Sequence, residues 1–391
     1  MYKVERQIVE WLDRHLTVIF IVAVSVCGIL IRFMFRNFES GDSKAFLLPW
    51  WEEINNNGGI RALKYQTGNY NMLYQFLIAV MTYLPIKPLY QYKILSGIFD
   101  YLLALGVGFM SYNLTNKDMT KGALAYAVTL MSPLVIFNSA AWAQCDSIYV
   151  FFIVLSLILL MDEHYGISFF MLGVAFSFKL QAVFILPFFI FYYFKERKFS
   201  ILQFLLIPLA MCVTAIPSLI MGRGIADIFM NYVEQIGTYT SLAINYPSVW
   251  CVVNEAVSPE TLKAPAVMIT VVLIGIFMYI WIKSAENMDK KKMLYCAFIL
   301  AYTCVFFLPK MHERYGYLYE ILAILIAFVD RKTIIPCVVL NMVSLITYSS
   351  YLYGVSYDVR ILGCINGLVY LVYVVILVPA ILKKSVQNEN T

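Results

Sequence analysis

The sequence predicts an all-α polytopic membrane protein of about twelve transmembrane helices, with additional interfacial helices outside the membrane in the first long loop. Three observations predict it. The 391 residues are 61% hydrophobic and 14% charged, against roughly 25% charged residues in an ordinary soluble domain. Apolar runs of about 15 to 22 residues recur from end to end, and the longer ones cross about 30 Å of hydrocarbon as helices, which satisfy their own backbone hydrogen bonds there. Short basic loops punctuate these runs, as they do on the cytoplasmic side of membrane proteins.

In chain order the apolar segments fall at about 16–35, 92–112, 122–139, 147–161, 166–178, 180–194, 200–221, 264–283, 292–308, 315–329, 333–351 and 361–382, each read as a helix from its length and apolarity. Lys3, Arg6 and Arg14 precede the first run and no small-residue cleavage site follows it, so it reads as a retained helix. Four basic loops, Lys195-Glu196-Arg197-Lys198, Lys290-Lys291-Lys292, Arg331-Lys332 and Lys383-Lys384, are placed inside. That placement requires residues 167–195 to form two short helices hinged near Lys179 and leaves both termini cytoplasmic. Parity then puts the loops 36–91 and 222–263 outside, and the short apolar stretch 72–85 is expected to lie along the outer surface without crossing. Ile228, Tyr232, Val233 and Ile236 sit at helical spacing and predict a second surface helix. No soluble domain, internal repeat or low-complexity tract is evident, and residues 1–391 read as a single transmembrane domain.

The formal charge of +5 is spread over many loops, so it predicts contact with membrane lipids and phosphate and no nucleic-acid partner. The eight cysteines are scattered singly without a CxxC pair, which implies neither a disulfide framework nor a metal site.

The polar clusters that remain all fall on the predicted outer face. The densest is Lys310-Met311-His312-Glu313-Arg314-Tyr315, set between two apolar runs. Charges at the bilayer edge are costly unless they face a cavity, so this cluster is read as one wall of a site. Asp42, in Gly41-Asp42-Ser43-Lys44, is either a helix cap or a functional acid. Asp146, in Trp142-Ala143-Gln144-Cys145-Asp146-Ser147, poses the same choice between a dipole partner and a site residue. Lys179, in Lys179-Leu180-Gln181, interrupts an apolar run and needs a counter-charge or a phosphate. Asp100 lies within a membrane helix, where a carboxylate is a candidate site residue. One shared external cavity would explain the outer-face clusters.

Taken in order, Asp42, the Trp142–Asp146 stretch, Phe178-Lys179-Leu180-Gln181, Asn245-Tyr246-Pro247-Ser248-Val249-Trp250 and Lys310–Tyr315 resemble the GT-C superfamily of glycosyltransferases, in particular the bacterial mannosyltransferase-like proteins related to the GPI mannosyltransferases. The resemblance covers about residues 36 to 330. It implies a membrane enzyme that takes a sugar from a polyprenyl-phosphate donor and passes it to an acceptor on the outer face, an envelope glycan or a lipid-linked glycan. By the same resemblance Asp42 is the catalytic acid, and Lys179, Gln181, Lys310, His312, Glu313, Arg314 and Tyr315 hold the donor's phosphate and sugar. Trp142, Gln144, Asp146 and Asp100 are the expected substrate-binding residues. Two departures stand out: Asp42 lacks the second acid of the Asp-x-Asp pair common in relatives, so no metal or other cofactor is assigned, and Ala143 stands where relatives often carry glycine. The chemistry suits these residues, because an attacking hydroxyl needs a base and a departing phosphate needs cations. A lipid-sugar flippase is the competing reading, but transporters carry repeated halves and midplane polar sites, and neither is seen here.

Overall fold

A computed structural model describes residues 2–237, 241–253, 259–286 and 288–383. The chain forms α1 (Lys3–Met34), α2 (Leu48–Asn56), α3 (Met72–Met81), α4 (Pro88–Leu114), α5 (Met119–Met131), α6 (Pro133–Ile136), α7 (Asp146–Met161), α8 (Tyr165–Phe178), α9 (Leu186–Glu196), α10 (Leu206–Ile220), α11 (Ile225–Gly237), α12 (Pro259–Ser284), α13 (Lys290–Phe307), α14 (Tyr317–Val329), α15 (Ile334–Tyr353) and α16 (Val359–Leu382). Two dipeptide strands, β1 (Ala243–Ile244) and β2 (Met311–His312), pair in parallel. The protein is an all-α polytopic membrane protein. All twelve apolar segments of the sequence are helical. Among the described residues, α1, α4, α12, α15, α16 and α10 taken together with the 3-10 stretch Ile201–Leu205 before it are long and apolar enough to cross a membrane, and α5 with the bent continuation Pro133–Ala141 makes a seventh. Among the others, α7, α8 and α14 are shorter apolar helices.

Burial follows patterning. α13 is apolar on all sides, and every residue from Lys292 to Phe306 is buried, the fate of a helix with no polar face. α1 is its opposite: among its residues only Gly28 is buried, because one side packs on α4 and α5 through Ile21 and Val24 and the rest of its apolar surface suits lipid. Close helix approaches use small residues, as membrane bundles do. A Cβ added at Gly173 of α8 would sit 2.5 Å from the Ile207 carbonyl of α10.

The helices α7, α8 and α13 each run between two chemically distinct ends. α7 starts at Asp146, and just past its far end Asp162 accepts from Lys290 at 2.6 Å. α8 returns and stops at Lys179, whose extended backbone (φ −155°) breaks the helix before a 3-10 stretch, Leu180–Ile185, leads into α9. This is the hinge that the basic loops required. Lys198 pairs with Glu163 at 2.8 Å and Lys292 donates to the Lys383 carbonyl at 2.8 Å, so the basic loops collect at the end away from Asp146 and Lys179. Lys384, the last of the basic residues, lies outside the described residues. α3, in the 72–85 stretch, has ten residues and rises about 15 Å, half of what a crossing needs. α11 turns Ile228 and Tyr232 inward and leaves Val233 62% exposed.

A buried ion pair fastens α1 to the bundle. Arg32 Nε and Nη2 donate to Asp100 Oδ2 at 2.9 and 2.8 Å, and Ser139 Oγ donates to the same oxygen at 2.5 Å. Removing one member of such a pair strands the other's charge, whereas removing both does not. Arg32→Met is therefore expected to cost about 3–5 kcal/mol, read as a lower melting temperature in detergent, and adding Asp100→Leu to it should recover most of the loss.

Candidate active site

The site is assembled where three loops and one helix break meet. After α1 the chain turns through Ser40, whose Oγ accepts from the Ser43 amide at 3.1 Å and donates to the Trp142 carbonyl at 3.1 Å. Ser40 thus caps the π-helical turn Ser43–Leu47. The Asp42 side chain makes no capping bond, and its carboxylate is left for tertiary contacts.

Asp42 Oδ2 accepts from Trp142 Nε1 at 2.8 Å and from Gln144 Nε2 at 3.0 Å, while Oδ1 accepts from the Tyr351 hydroxyl of α15. Tyr351 stacks on Trp142 with centroids 4.4 Å apart. Arg314 stands between two acids: Nη2 is 3.5 Å from Asp42 Oδ2 and Nη1 is 3.6 Å from Asp146 Oδ2. The guanidinium also donates to Gln144 Oε1 at 2.5 Å and lies over the Trp142 ring at 4.9 Å. Burial pushes the Arg314 guanidinium toward neutrality, but Asp146, Asp42 and Glu313 outweigh it and raise its pKa above the ordinary value.

Asp146 is 1% exposed. Lys179 donates to its Oδ1, and Asn138 Nδ2 donates to its Oδ2 at 2.7 Å. The counter-charge that Lys179 needed is therefore a carboxylate of the protein. Asp42, Arg314, Asp146 and Lys179 form a neutral quartet drawn from four distant parts of the chain.

The quartet borders a cavity of about 710 Å³. Asp42, Gln144, Lys179, Gln181, Lys310, His312, Arg314 and Tyr315 line it, eight of the twelve site residues expected from the sequence. Gln181 Oε1 is buried there without a hydrogen-bond partner among the described residues. Lys310 has a left-handed backbone (φ +64°) and donates its amide to the Leu242 carbonyl at 2.7 Å. Its ammonium has no carboxylate partner among the described residues. Lys263, at the start of α12, also lines the cavity and was missed by sequence reasoning.

Four expected residues stand elsewhere. Trp142 is fully buried behind Asp42 and reaches the site through its indole N–H. Asp146 lies beneath the cavity as the partner of Lys179. Glu313 is 2% exposed, with Oε2 2.7 Å from His312 Nδ1. Asp100 accepts from Arg32 and Ser139 and is not among the residues that line the cavity. His312 and Glu313 are held by β2 and the turn after it, not by a helix, because His312 pairs with Ile244 and Asn245. Ala143 has φ +62°, in the left-handed region where glycine is cheaper than alanine. Tyr351 and Asn138 escaped the sequence reading because neither lies in a polar cluster.

Residues 69–308, more than half of the chain, match glycosyltransferase family 87. The matched stretch holds Asn138, Gln144, Asp146 and Lys179, with Asp42 before it and Arg314 after it. No individually curated protein matches the chain. The chain belongs to glycosyltransferase family 87, a GT-C-type family of membrane glycosyltransferases.

Proposed function

We propose that the protein transfers a sugar from a polyprenyl-phosphate donor to an acceptor on the extracytoplasmic face, with inversion at the anomeric carbon and with Asp42 as general base. The observation that carries this reading is the Asp42 carboxylate, fixed by three donors at the wall of a cavity that also presents cations. Oδ2 accepts two hydrogen bonds and faces Arg314, whereas Oδ1 accepts one, from Tyr351. A carboxylate oxygen has two lone pairs, so Oδ1 is the atom with capacity left for a proton.

In the proposed step the acceptor hydroxyl gives its proton to Asp42 Oδ1 as its oxygen bonds to the anomeric carbon. The bond from that carbon to the phosphate oxygen breaks on the opposite face, and its electron pair leaves with the polyprenyl phosphate. The charges revise the expected donor site. Lys179 and Arg314 are paired with Asp146 and Asp42, so among the described residues of the cavity wall the lysines left to meet the departing phosphate are Lys310 and Lys263. Lys179 and Arg314 instead position Asp146 and Asp42. The outward orientation rests on the basic loops, which gather at the opposite ends of α7, α8 and α13 from the site. The mannosyltransferase-like branch and a polysaccharide of the cell envelope as destination belong to this reading, on the sequence resemblance. Membership of a glycosyltransferase family favours transfer over a flippase.

Three measurements test the reading, each with purified protein and a labelled polyprenyl-phosphate hexose. Asp42→Asn keeps the shape and removes the base, and transfer is expected to fall by about 10²–10⁴-fold; unchanged turnover would overturn the assignment. Tyr351→Phe removes one hydroxyl that orients Oδ1, and a drop of about tenfold in kcat with KM for the donor little changed is expected, the signature of an interaction that matters in the transition state. Lys310→Ala should raise KM for the donor by about tenfold or more, the effect of losing one charge-assisted contact, while Lys310→Arg retains most of the affinity.

A further inference from the structure

The cavity has a second end whose chemistry the proposed donor does not use. Asp42, Phe46 and Trp50 follow one another at four-residue intervals through the turn Ser43–Leu47 and α2, and all three line the cavity. This stripe leads about two helical turns away from the base. Trp50 ends it, edge-on to Tyr70 with centroids 4.8 Å apart and laid against Gly68, whose φ of +51° and contact with the indole leave no room for a Cβ.

Asn69 and Asn71 flank Tyr70 on the segment that meets this ring, and α11 fixes them. Gln235 Nε2 donates to the Asn69 carbonyl at 3.0 Å and to Asn71 Oδ1 at 2.7 Å. Asn231 Nδ2 donates to Asn71 Oδ1 at 2.9 Å and to the Tyr70 carbonyl at 3.1 Å. These bonds leave the Asn69 side chain, Asn71 Nδ2 and Gln235 Oε1 without hydrogen-bond partners among the described residues, and Asn69, Asn71 and Gln235 all line the cavity.

An aromatic surface bordered by uncharged donors and acceptors matches a ring that has apolar faces and hydroxyl edges. A polyprenyl chain would leave the amides unsatisfied, and a phosphate would call for cations. The assignment of Asp42, on which this step rests, decides which substrate lies here. The base touches the acceptor, and inversion sends the phosphate to the opposite face, so the wall that begins at Asp42 belongs to the acceptor.

We propose that Trp50, Asn69, Asn71 and Gln235 form a pyranose subsite for the acceptor, which is therefore a glycan of at least two rings, its attacking ring at Asp42 and the next at Trp50. The test is binding, without turnover, by the full chain in phospholipid nanodiscs, because glycoside detergents carry the same chemistry. The probes are the methyl glycosides of glucose, galactose and mannose and their α-linked disaccharides, titrated by saturation-transfer NMR. At least one disaccharide should bind about tenfold tighter than its monosaccharide, a difference of about 1.4 kcal/mol. Trp50→Leu should erase that margin. Asn69→Ala, an exposed side chain whose loss does not threaten the fold, should reduce it about threefold or more. No disaccharide advantage in the wild type, or an advantage that survives both substitutions, would refute the subsite. If Trp50→Leu spared the disaccharide and raised KM for the polyprenyl-phosphate sugar, the ring bound there would be the donor's and the proposal would be wrong. Failure of these binding experiments leaves the Asp42→Asn result standing, so the two readings fall separately.

Discussion

The Arg314 guanidinium, wedged between Asp42 and Asp146 and laid over Trp142, is the contact on which the rest of the site depends. Charges withdrawn from water persist only when paired and hydrogen-bonded. Arg314 lies in a segment between α13 and α14, Asp42 follows α1, Asp146 begins α7, and Lys179 marks the break after α8. None of the four is placed acceptably unless the others arrive. Their mutual neutralisation therefore fixes four loops or helix ends against one another, a preorganisation that helix packing alone would not provide.

That arrangement was partly legible in the chain. Hydropathy gave the helices, and the parity of the basic loops gave the break at Lys179 and called for no full-length helix in the 72–85 stretch, where α3 has ten residues. The gathering of Asp42, Gln144, Lys179 and Arg314 around one cavity followed from their placement at one face. Pairing was not legible. Lys179 announced a buried charge without saying whether its partner was a phosphate or Asp146. Asp100 announced a costly carboxylate, but Arg32, 68 residues earlier, reads locally as the basic end of an apolar run.

Tyr351 was hidden for a different reason. The chain has 29 tyrosines, most of them in or beside apolar runs where packing explains them, so one that donates to Asp42 across 309 positions carries no local signal. Asn138 is similar: a single amide in an apolar stretch acquires meaning only when the bend after α5 brings it to Asp146. Sequence patterns report the solvent of each residue, lipid, water or core. They do not report which two charges or hydroxyls meet.

The donors around Asp42 suggest how the proposed chemistry divides its labour. Trp142, Gln144 and Arg314 all address Oδ2, and among the described residues Tyr351 alone addresses Oδ1. A base embedded in so many contacts is built for orientation, since a fixed carboxylate directs the attacking hydroxyl along one line. The departing phosphate is already a good leaving group once a cation meets it, so the barrier falls mainly through alignment and through charge stabilisation on the far side. The pairing of β1 with β2 serves the same end. It ties the segment that carries Lys310 and His312 to the loop that follows α11, and α11 in turn holds residues 69–71 beside the wall of Asp42. The segment that follows α11 and α11 itself thus brace both walls of the cavity through backbone and amide hydrogen bonds.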